Sequence, residues 1–263
     1  MRTTLTTLHK MSQESNKIAM LTCYDASFAS LLESAGVDGL LIGDSLGMVL
    51  QGQDSTLSVT MNDMIYHTRC VARGSKKAFI VTDMPFASYQ VSSGQAFENA
   101  ALLLAAGAQM VKLEGGEVVA DTVSFMTKRG IAVCGHIGFT PQSVHQFGGY
   151  SVQGKTEAQS KHLLEQAKML EQAGIGLLVL EAIPATVADK ITAAIKVPTI
   201  GIGAGSGCSG QVLVLHDMLD IYPGKKARFV KNFTHGAASV EAAVKAYVNE
   251  VKARTFPGTE HSF

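Results

Sequence analysis

Short apolar runs recur along this chain, and each of them ends directly in a residue whose side chain can take part in chemistry. The run 40–42 is followed by Gly43 and then by Asp44 and Ser45. An apolar run of this length, bounded by glycine or polar residues, is typical of a strand that is buried on both faces. We therefore expect parallel strands that present their polar side chains at one edge. The later runs of this kind stop at Asp83, Glu114, His136 and Glu181.

The segments between these runs have the apolar spacing of helices, so strand and helix alternate along the chain. Eight such strands predict the α/β class and, within it, a (β/α)8 TIM barrel whose active site is built at the carboxyl ends of the strands. An open doubly wound sheet is the alternative, but no GxGxxG motif follows an early strand to favour it. The predicted strands cover residues 17–23, 40–42, 78–83, 109–114, 131–135, 177–181, 198–202 and 212–215, and the predicted helices cover 26–35, 60–74, 93–106, 118–129, 157–173, 184–194 and 240–251.

Length and composition set the scale of the molecule. With 263 residues the chain is close to the size of one such barrel, so we expect a single domain over residues 1–263. Hydrophobic residues make up 46% of the chain and charged residues 17%, which favours an oligomer over a monomer. Lys and Arg together number 22, as do Asp and Glu, so no basic field is available to attract nucleic acid or an anionic membrane.

The cysteines and the N-terminal region predict a cytoplasmic protein. Cys23, Cys70, Cys134 and Cys208 are widely separated and form no CxxC or Cys/His cluster, which disfavours a zinc site and a disulfide framework. Residues 1–17 contain no apolar core of a signal peptide, and nowhere do about 18 uncharged apolar residues run together as a membrane span requires. We expect reduced thiols and no membrane partner.

Three carboxylates, those of Asp44, Asp83 and Glu114, end three successive predicted strands. In a barrel they would converge on one side of its mouth, where like charges raise one another's pKa unless a cation compensates them. A set of oxygen ligands favours a hard ion, most simply Mg²⁺. Alternatively, each of them is a helix N-cap or a hydrogen-bonding residue at a strand end.

Lys112 and Glu181 are the other charged residues at these positions. Lys112 lies two positions before Glu114, so strand alternation places both side chains on one face, where the lysine could bind a substrate carboxylate or simply pair with an acidic neighbour. Glu181 follows an apolar run that would exclude water and strengthen it as a general base, with a plain ion pair as the alternative.

Two further features have weaker functional interpretations. His136 could contact a substrate oxygen or transfer a proton, but a support role is favoured because a single histidine near a core is commonly structural. The glycine-rich loop 201–207 could bind phosphate, although close packing explains its glycines equally well. The long polar segment 138–155 is predicted to be a lid or a binding loop.

Motifs spread over nearly the whole chain resemble those of the 3-methyl-2-oxobutanoate hydroxymethyltransferase family, which forms ketopantoate in pantothenate biosynthesis. The resemblance implies a barrel of the type that handles 2-oxo acids through a divalent metal. The motifs are LTCYDASFA, GDSLGMVLQGQDSTL, MIYHTRCVARG, VTDMPFASY, AFENAALLLAAGAQMVKLEGG, CGHIGFTPQSV, GGYSVQG, LLVLEAIP, IGIGAG, GQVLVLHDMLDI and FPGTEHSF.

The resemblance also implies roles for individual residues. Asp44 and Asp83 match the family's Mg²⁺ ligands, and Glu114 completes the acidic shell directly or through water. Lys112, Asp44, Ser45 and Asp83 match the contacts to the 2-oxo acid, Glu181 matches the proton acceptor, and His136 matches an active-site histidine that we interpret as a positioning contact to the substrate. The implied co-substrate is 5,10-methylenetetrahydrofolate, and the implied assembly is a homodecamer.

The chain departs from the family pattern at four positions. Gln53 stands where His is frequent, Ser58 where Pro is frequent, Ser151 where Lys or Arg usually follows GGY, and Ser209 where Asp commonly precedes GQ. None of these is among the residues expected to carry the chemistry. We expect the changes at Ser151 and Ser209 to alter charge on exposed loops.

The mechanism implied is metal-assisted enolisation of the 2-oxo acid followed by addition to the one-carbon unit. A lyase or mutase of the same metal-dependent barrel type is the alternative enzyme. A metabolite-binding or assembly protein that has lost catalysis is the alternative outside enzymes, and the intact acidic residues and Lys112 argue against it.

Overall fold

The computed structural model describes residues 2–263, and its centre is a closed barrel of eight parallel strands in sequential order. Each strand pairs in parallel with the next, and the last pairs with the first, which confirms the TIM barrel and excludes the open sheet. The strands are β1 (Ile18–Thr22), β2 (Gly39–Ile42), β3 (Phe79–Asp83), β4 (Met110–Glu114), β5 (Val133–Gly138), β6 (Leu177–Glu181), β7 (Thr199–Ile202) and β8 (Gly210–Leu213).

Helices surround the barrel and bury their apolar faces against it, since strand and helix side chains form one continuous core cluster. The helices are α1 (Leu5–Gln13), α2 (Ala26–Ser34), α3 (Leu46–Val49), α4 (Met61–Gly74), α5 (Ser93–Ala106), α6 (Ala120–Thr127), α7 (Val144–Phe147), α8 (Glu157–Ala173), α9 (Ala185–Ala194), α10 (Leu215–Met218) and α11 (Val240–Lys252). Short 3-10 turns cover Glu117–Val119, Pro141–Ser143 and Thr259–His261.

Local capping explains why several helices begin and end where the sequence predicts. Thr60 accepts the N–H of Asp63 while the Asp63 side chain accepts the N–H of Thr60, so both ends of a capping box are present at the start of α4. Helix α5 ends at Gly107, whose φ of 119° is a left-handed conformation that favours glycine. The predicted bounds of α5 and α8 are confirmed.

The N-terminal segment, which the sequence analysis leaves without structure, contains helix α1. The helix starts with a capping box at Thr4, and the side chain of Leu8 on its inner face is fully buried. His9 Nε2 lies 2.8 Å from the Gly176 carbonyl oxygen, and Ser12 Oγ donates to Ser209 Oγ at 2.8 Å. Helix α1 therefore closes the end of the barrel at which the strands begin.

This position corrects the expectation for Ser209. It is half-buried beside α1, and its backbone N–H donates to Thr199 Oγ1 at 3.2 Å, so it does not lie on an exposed loop. Ser151, Gln53 and Ser58 are exposed, as expected for Ser151.

The last strand was predicted two residues too late, at 212–215. It begins at Gly210, where a Cβ would lie only 2.4 Å from the Ile18 carbonyl oxygen, so only glycine permits this pairing with β1. The chain then turns into α10, which contains Asp217. The connection 203–209 between β7 and β8 contains no helix, and α11 covers β1 instead, with Tyr247 Oη donating to the Met20 carbonyl oxygen at 2.8 Å.

Within residues 2–263, no helix combines the length and the apolar character that crossing a lipid bilayer requires.

Candidate active site

A cavity of about 480 Å³ opens at the carboxyl ends of the barrel strands. Its inner group comprises Asp44, Ser45, Asp83, Lys112, Glu114, His136 and Glu181, and its outer group comprises Met48, Tyr150, Asp217, Tyr222, Lys225, Lys226 and Phe229. The barrel register explains the inner group, because Asp83 lies beside Lys112 across β3 and β4, and Glu114 beside His136 across β4 and β5. The barrel thus brings all seven predicted site residues to one cavity.

Asp44 and Asp83 are adjacent and almost completely buried. The backbone N–H of Asp44 donates to Asp83 Oδ2 at 3.1 Å. Burial raises the pKa of the Asp44 carboxyl well above its usual range, and the charges of Asp83 and Glu114 add to this effect. Burial also raises the pKa of Asp83, against the opposing influence of Lys112. Two neighbouring buried carboxylates create a local demand for positive charge.

Lys112 supplies part of that charge. Its Nζ lies 3.1 Å from Asp83 Oδ1 and 3.2 Å from His136 Nδ1. Burial by itself lowers the pKa of Lys112, but the carboxylates of Asp83, Glu114 and Asp44 outweigh it, so the net shift is upward and the side chain is an ammonium. The contact with Asp83 is an ion pair rather than an aligned hydrogen bond, because Oδ1 has no partner at hydrogen-bonding geometry.

His136 lies between two glutamates. Its Nδ1 is 3.5 Å from Glu114 Oε1, and its Nε2 is 3.1 Å from Glu181 Oε2. The Nε2 contact also falls outside hydrogen-bonding geometry. Burial and the charge of Lys112 act to lower the pKa of His136, while its contacts with the carboxylates of Glu114 and Glu181 raise it, and the net direction is upward. His136 therefore links the acidic side of the site to Glu181. It also lies within β5, which ends at Gly138, three residues beyond the predicted strand 131–135.

Gln142 and Tyr89 belong to the site although the sequence analysis assigns them no role. Gln142 Nε2 donates to Asp44 Oδ2 at 2.8 Å and to the Met84 carbonyl oxygen at 2.9 Å, and its backbone N–H donates to Glu114 Oε2 at 2.9 Å. Tyr89 Oη donates to Gln142 Oε1 at 2.6 Å and accepts the N–H of Glu114 at 3.1 Å. Gln142 therefore holds the carboxylates of Asp44 and Glu114, through its side chain and its backbone respectively, and Tyr89 holds Gln142 and the Glu114 backbone.

The three predicted metal ligands do not all face one common metal centre. Within residues 2–263, no three His, Cys, Asp or Glu side chains are already positioned around a common metal centre. Asp44 and Asp83 are neighbours, whereas Glu114 is directed toward His136 and the Gln142 backbone.

The two predicted loops differ in their relation to the cavity. In the segment 138–155, Pro141 and Tyr150 line the cavity. In the loop 201–207, a Cβ at Gly205 would lie 2.6 Å from the Ala185 Cβ, and Ile202 alone among these residues lines the cavity. Close packing is thus the better explanation for its glycines.

Comparisons with known proteins give the same family that the sequence motifs resemble. The sequence profile of the family described as Ketopantoate hydroxymethyltransferase matches residues 2–259. A 3-methyl-2-oxobutanoate hydroxymethyltransferase of Nitrosospira multiformis is 61% identical, with 100% of both chains covered. One from Azoarcus sp. is 64% identical, with 99% of this chain and 96% of that relative covered.

Solved structures support the fold. 2,3-dimethylmalate lyase, described as a PEP mutase/isocitrate lyase superfamily member, has a TM-score of 0.59 at 16% identity, with 81% of each chain covered. At that identity the similarity concerns the fold alone. The family match, by contrast, extends over nearly the whole sequence at high identity, so the chain belongs to the ketopantoate hydroxymethyltransferase family, transferases of pantothenate biosynthesis.

Proposed function

We propose that this protein transfers a one-carbon unit from 5,10-methylenetetrahydrofolate to 3-methyl-2-oxobutanoate and so forms 2-dehydropantoate. The observation that carries the proposal is the row of ionisable side chains at consecutive strand ends: Asp44, Asp83, Lys112, Glu114, His136 and Glu181. The family's 2-oxo acid needs its carboxylate and ketone oxygens bound and its C3 proton removed. This row offers cationic, acidic and basic groups within one cavity.

Asp44 and Asp83 fit a bound Mg²⁺ as its direct ligands, with Glu114 completing the shell directly or through water. They are buried and adjacent, they open onto the cavity, and Asp83 Oδ1 lacks an aligned hydrogen-bond donor. Carboxylate oxygens are the ligands that Mg²⁺ prefers. When bound, the ion supplies Lewis-acid polarisation of the substrate's ketone and compensates the negative charge that develops on its oxygen.

Lys112, Ser45 and His136 orient the 2-oxo acid. Lys112 carries three N–H donors, and its ammonium binds the substrate carboxylate while it keeps Asp83 in place. Ser45 Oγ lies 2.9 Å from Tyr24 Oη, so its hydroxyl is held at the cavity wall. His136 positions both the substrate and Glu181.

Glu181 accepts the C3 proton. Its side chain is 13% exposed, against 3–5% for those of Asp83, Lys112, Glu114 and His136, so it is more open to a ligand than they are. The resulting enolate carbon attacks the one-carbon unit delivered by methylenetetrahydrofolate. One water molecule supplies the hydroxyl oxygen, and both C–N bonds of the methylene carbon break. Tetrahydrofolate leaves with two protons on its nitrogens, one from C3 through Glu181 and one from the water.

We also propose that the protein is cytoplasmic, folds as one domain and assembles as a homodecamer. These proposals rest on the separate cysteines, the chain length and the family resemblance. All four cysteines are free thiols in the structure.

Isotope tracing tests the donor. With ¹³C in the methylene group of methylenetetrahydrofolate, we expect the label in the hydroxymethyl carbon of 2-dehydropantoate, and we expect EDTA to stop the reaction until Mg²⁺ is restored. Consumption of the 2-oxo acid without transfer of label would contradict the proposal and favour a lyase or mutase. Turnover that persists in EDTA would contradict the metal.

A further inference from the structure

The outer group of the cavity contains an acidic side chain that the reaction at the inner group does not use. Asp217 lies on α10, it lines the cavity, and it is half-buried. Across residues 2–263, its carboxylate makes no hydrogen bond and no ion pair within 4.0 Å. The nearest compensating cation, Lys226, is paired with Asp220 instead. Burial raises the pKa of Asp217 to about 6, against the opposing charge of Lys226.

A half-buried carboxylate that no protein group contacts favours a ligand that donates hydrogen bonds. The 2-oxo acid cannot be that ligand, because it is an anion with acceptor oxygens only and the charge of Asp217 would repel it. The cavity volume of about 480 Å³ lies in the range for sites of drug-sized ligands, roughly 300–1,000 Å³, and leaves room beside a five-carbon acid. The outer group therefore fits a second, larger ligand.

The surroundings of Asp217 specify that ligand further. Tyr150, Tyr222 and Phe229 line the same cavity and offer flat apolar faces for an aromatic ring. Tyr150 is held by Phe139, whose ring centroid lies 5.0 Å away. Lys225 is exposed at the same cavity, where it can meet an anionic group that extends into solvent.

We propose that Asp217 recognises the pterin ring of the folate co-substrate by accepting hydrogen bonds from its N3–H and its 2-amino group. Two parallel N–H donors on one edge of a planar ring match the two oxygens of a carboxylate. The aromatic side chains pack on the ring system, and Lys225 meets the glutamate carboxylates of the folate tail. The inference rests on the proposed one-carbon donor and adds the residue that selects its pterin.

The test compares tetrahydrofolate with an analogue in which hydrogen replaces the 2-amino group. Binding of each to the full chain with Mg²⁺ and the 2-oxo acid is measured by isothermal titration calorimetry. We expect wild type to prefer tetrahydrofolate by about 10- to 100-fold, as for a hydrogen bond to a charged acceptor. Asp217→Asn, which keeps the shape and removes the charge, is expected to lose most of that preference.

Asp121→Asn is the control. Asp121 is exposed in the first turn of α6 and does not line the cavity, so its substitution removes one surface charge without changing the surroundings of Asp217. We expect this variant to keep the wild-type preference. If Asp217→Asn retains the preference, the role of Asp217 is wrong, but the proposed donor is not affected. Failure of wild type to bind tetrahydrofolate would overturn the proposed donor as well. Deuterium exchange at C3 of the 2-oxo acid needs no folate, so it shows whether Asp217→Asn retains the fold and the inner group.

Discussion

At the scale of single residues, Gln142 connects the parts of the active site that the strands alone do not connect. It lies in the 3-10 turn after β5, yet it donates to Asp44 on the far side of the acidic group and receives a hydrogen bond from Tyr89. A neutral donor orients a buried carboxylate without adding a further buried charge that would need compensation of its own.

Gln142→Ala is expected to lower kcat/KM by about 10- to 100-fold, because Asp44 loses the side-chain donor that orients it, whereas Glu114 keeps the backbone N–H of residue 142. The lost side-chain hydrogen bonds should also reduce the free energy of unfolding by about 2 kcal/mol. Steady-state kinetics and urea unfolding measure the two effects.

Gln90→Ala is the matched control, since the exposed Gln90 contacts the same Gln142 Oε1 at 3.4 Å. Its effects should be small. Equal losses in the two variants would mean that general disruption of the loop, rather than the orientation of Asp44, explains the result.

The charged members of the site could be predicted from the sequence, whereas their supports could not. Asp83, Glu114 and Glu181 stand at the ends of apolar runs, and that pattern is visible in the printed sequence. Gln142 and Tyr89 lie in loops whose path depends on the whole barrel. The only local signal was Pro141, which starts the 3-10 turn that carries Gln142. Tertiary contacts also direct Glu114 toward His136, whereas the carboxylates of the other two predicted metal ligands lie next to each other.

At the scale of elements, the strands and helices with strong local signals were predictable and those that depend on distant contacts were not. Helices α5 and α8 have caps and glycine stops that fix both ends. Helix α1 is short and mostly polar. Its single buried leucine is covered only because the helix packs on the end of the barrel at which the strands begin. The position of β8 is set by pairing with β1, nearly two hundred residues earlier in the sequence.

Glu33 joins two elements and gives a pH-dependent prediction. At the end of α2 it accepts hydrogen bonds from Ser75 Oγ and from the backbone N–H groups of Lys76, Lys77 and Ala78, the turn that leads into β3. Although burial acts to raise the pKa of Glu33, these donors lower it to about 2 from the ordinary 4.5. The stabilisation is therefore complete above pH 4.5 and is lost as the pH falls toward about 2.

We expect Glu33→Gln to lower the Tm near neutral pH and to flatten its decline between pH 4.5 and about 2, as measured by thermal unfolding. Glu98→Gln, on the exposed side of α5, is the control and should leave the decline unchanged. A decline as steep in Glu33→Gln as in wild type would show that other carboxylates account for the acid sensitivity.

At the scale of the whole molecule, the chain presents apolar surface that a homodecamer would bury. Val118 and Val91 are 83% and 78% exposed, and 46% of all residues are hydrophobic. Light scattering coupled to size-exclusion chromatography is expected to give ten times the chain mass. A monomer at micromolar concentration would contradict the assembly but would leave the barrel chemistry intact, because all inner-group residues come from one chain.

The chemistry proposed for that single barrel depends on one step, the removal of the C3 proton by Glu181. Deuterium exchange at C3 of 3-methyl-2-oxobutanoate, followed by NMR in D2O with Mg²⁺, isolates this step from folate. We expect exchange in wild type and its loss, by at least about 100-fold, in Glu181→Gln, as for removal of a general base. Exchange at the wild-type rate in a folded Glu181→Gln variant would contradict the assignment of Glu181. No exchange in wild type, with or without tetrahydrofolate, would contradict enolisation in this cavity altogether.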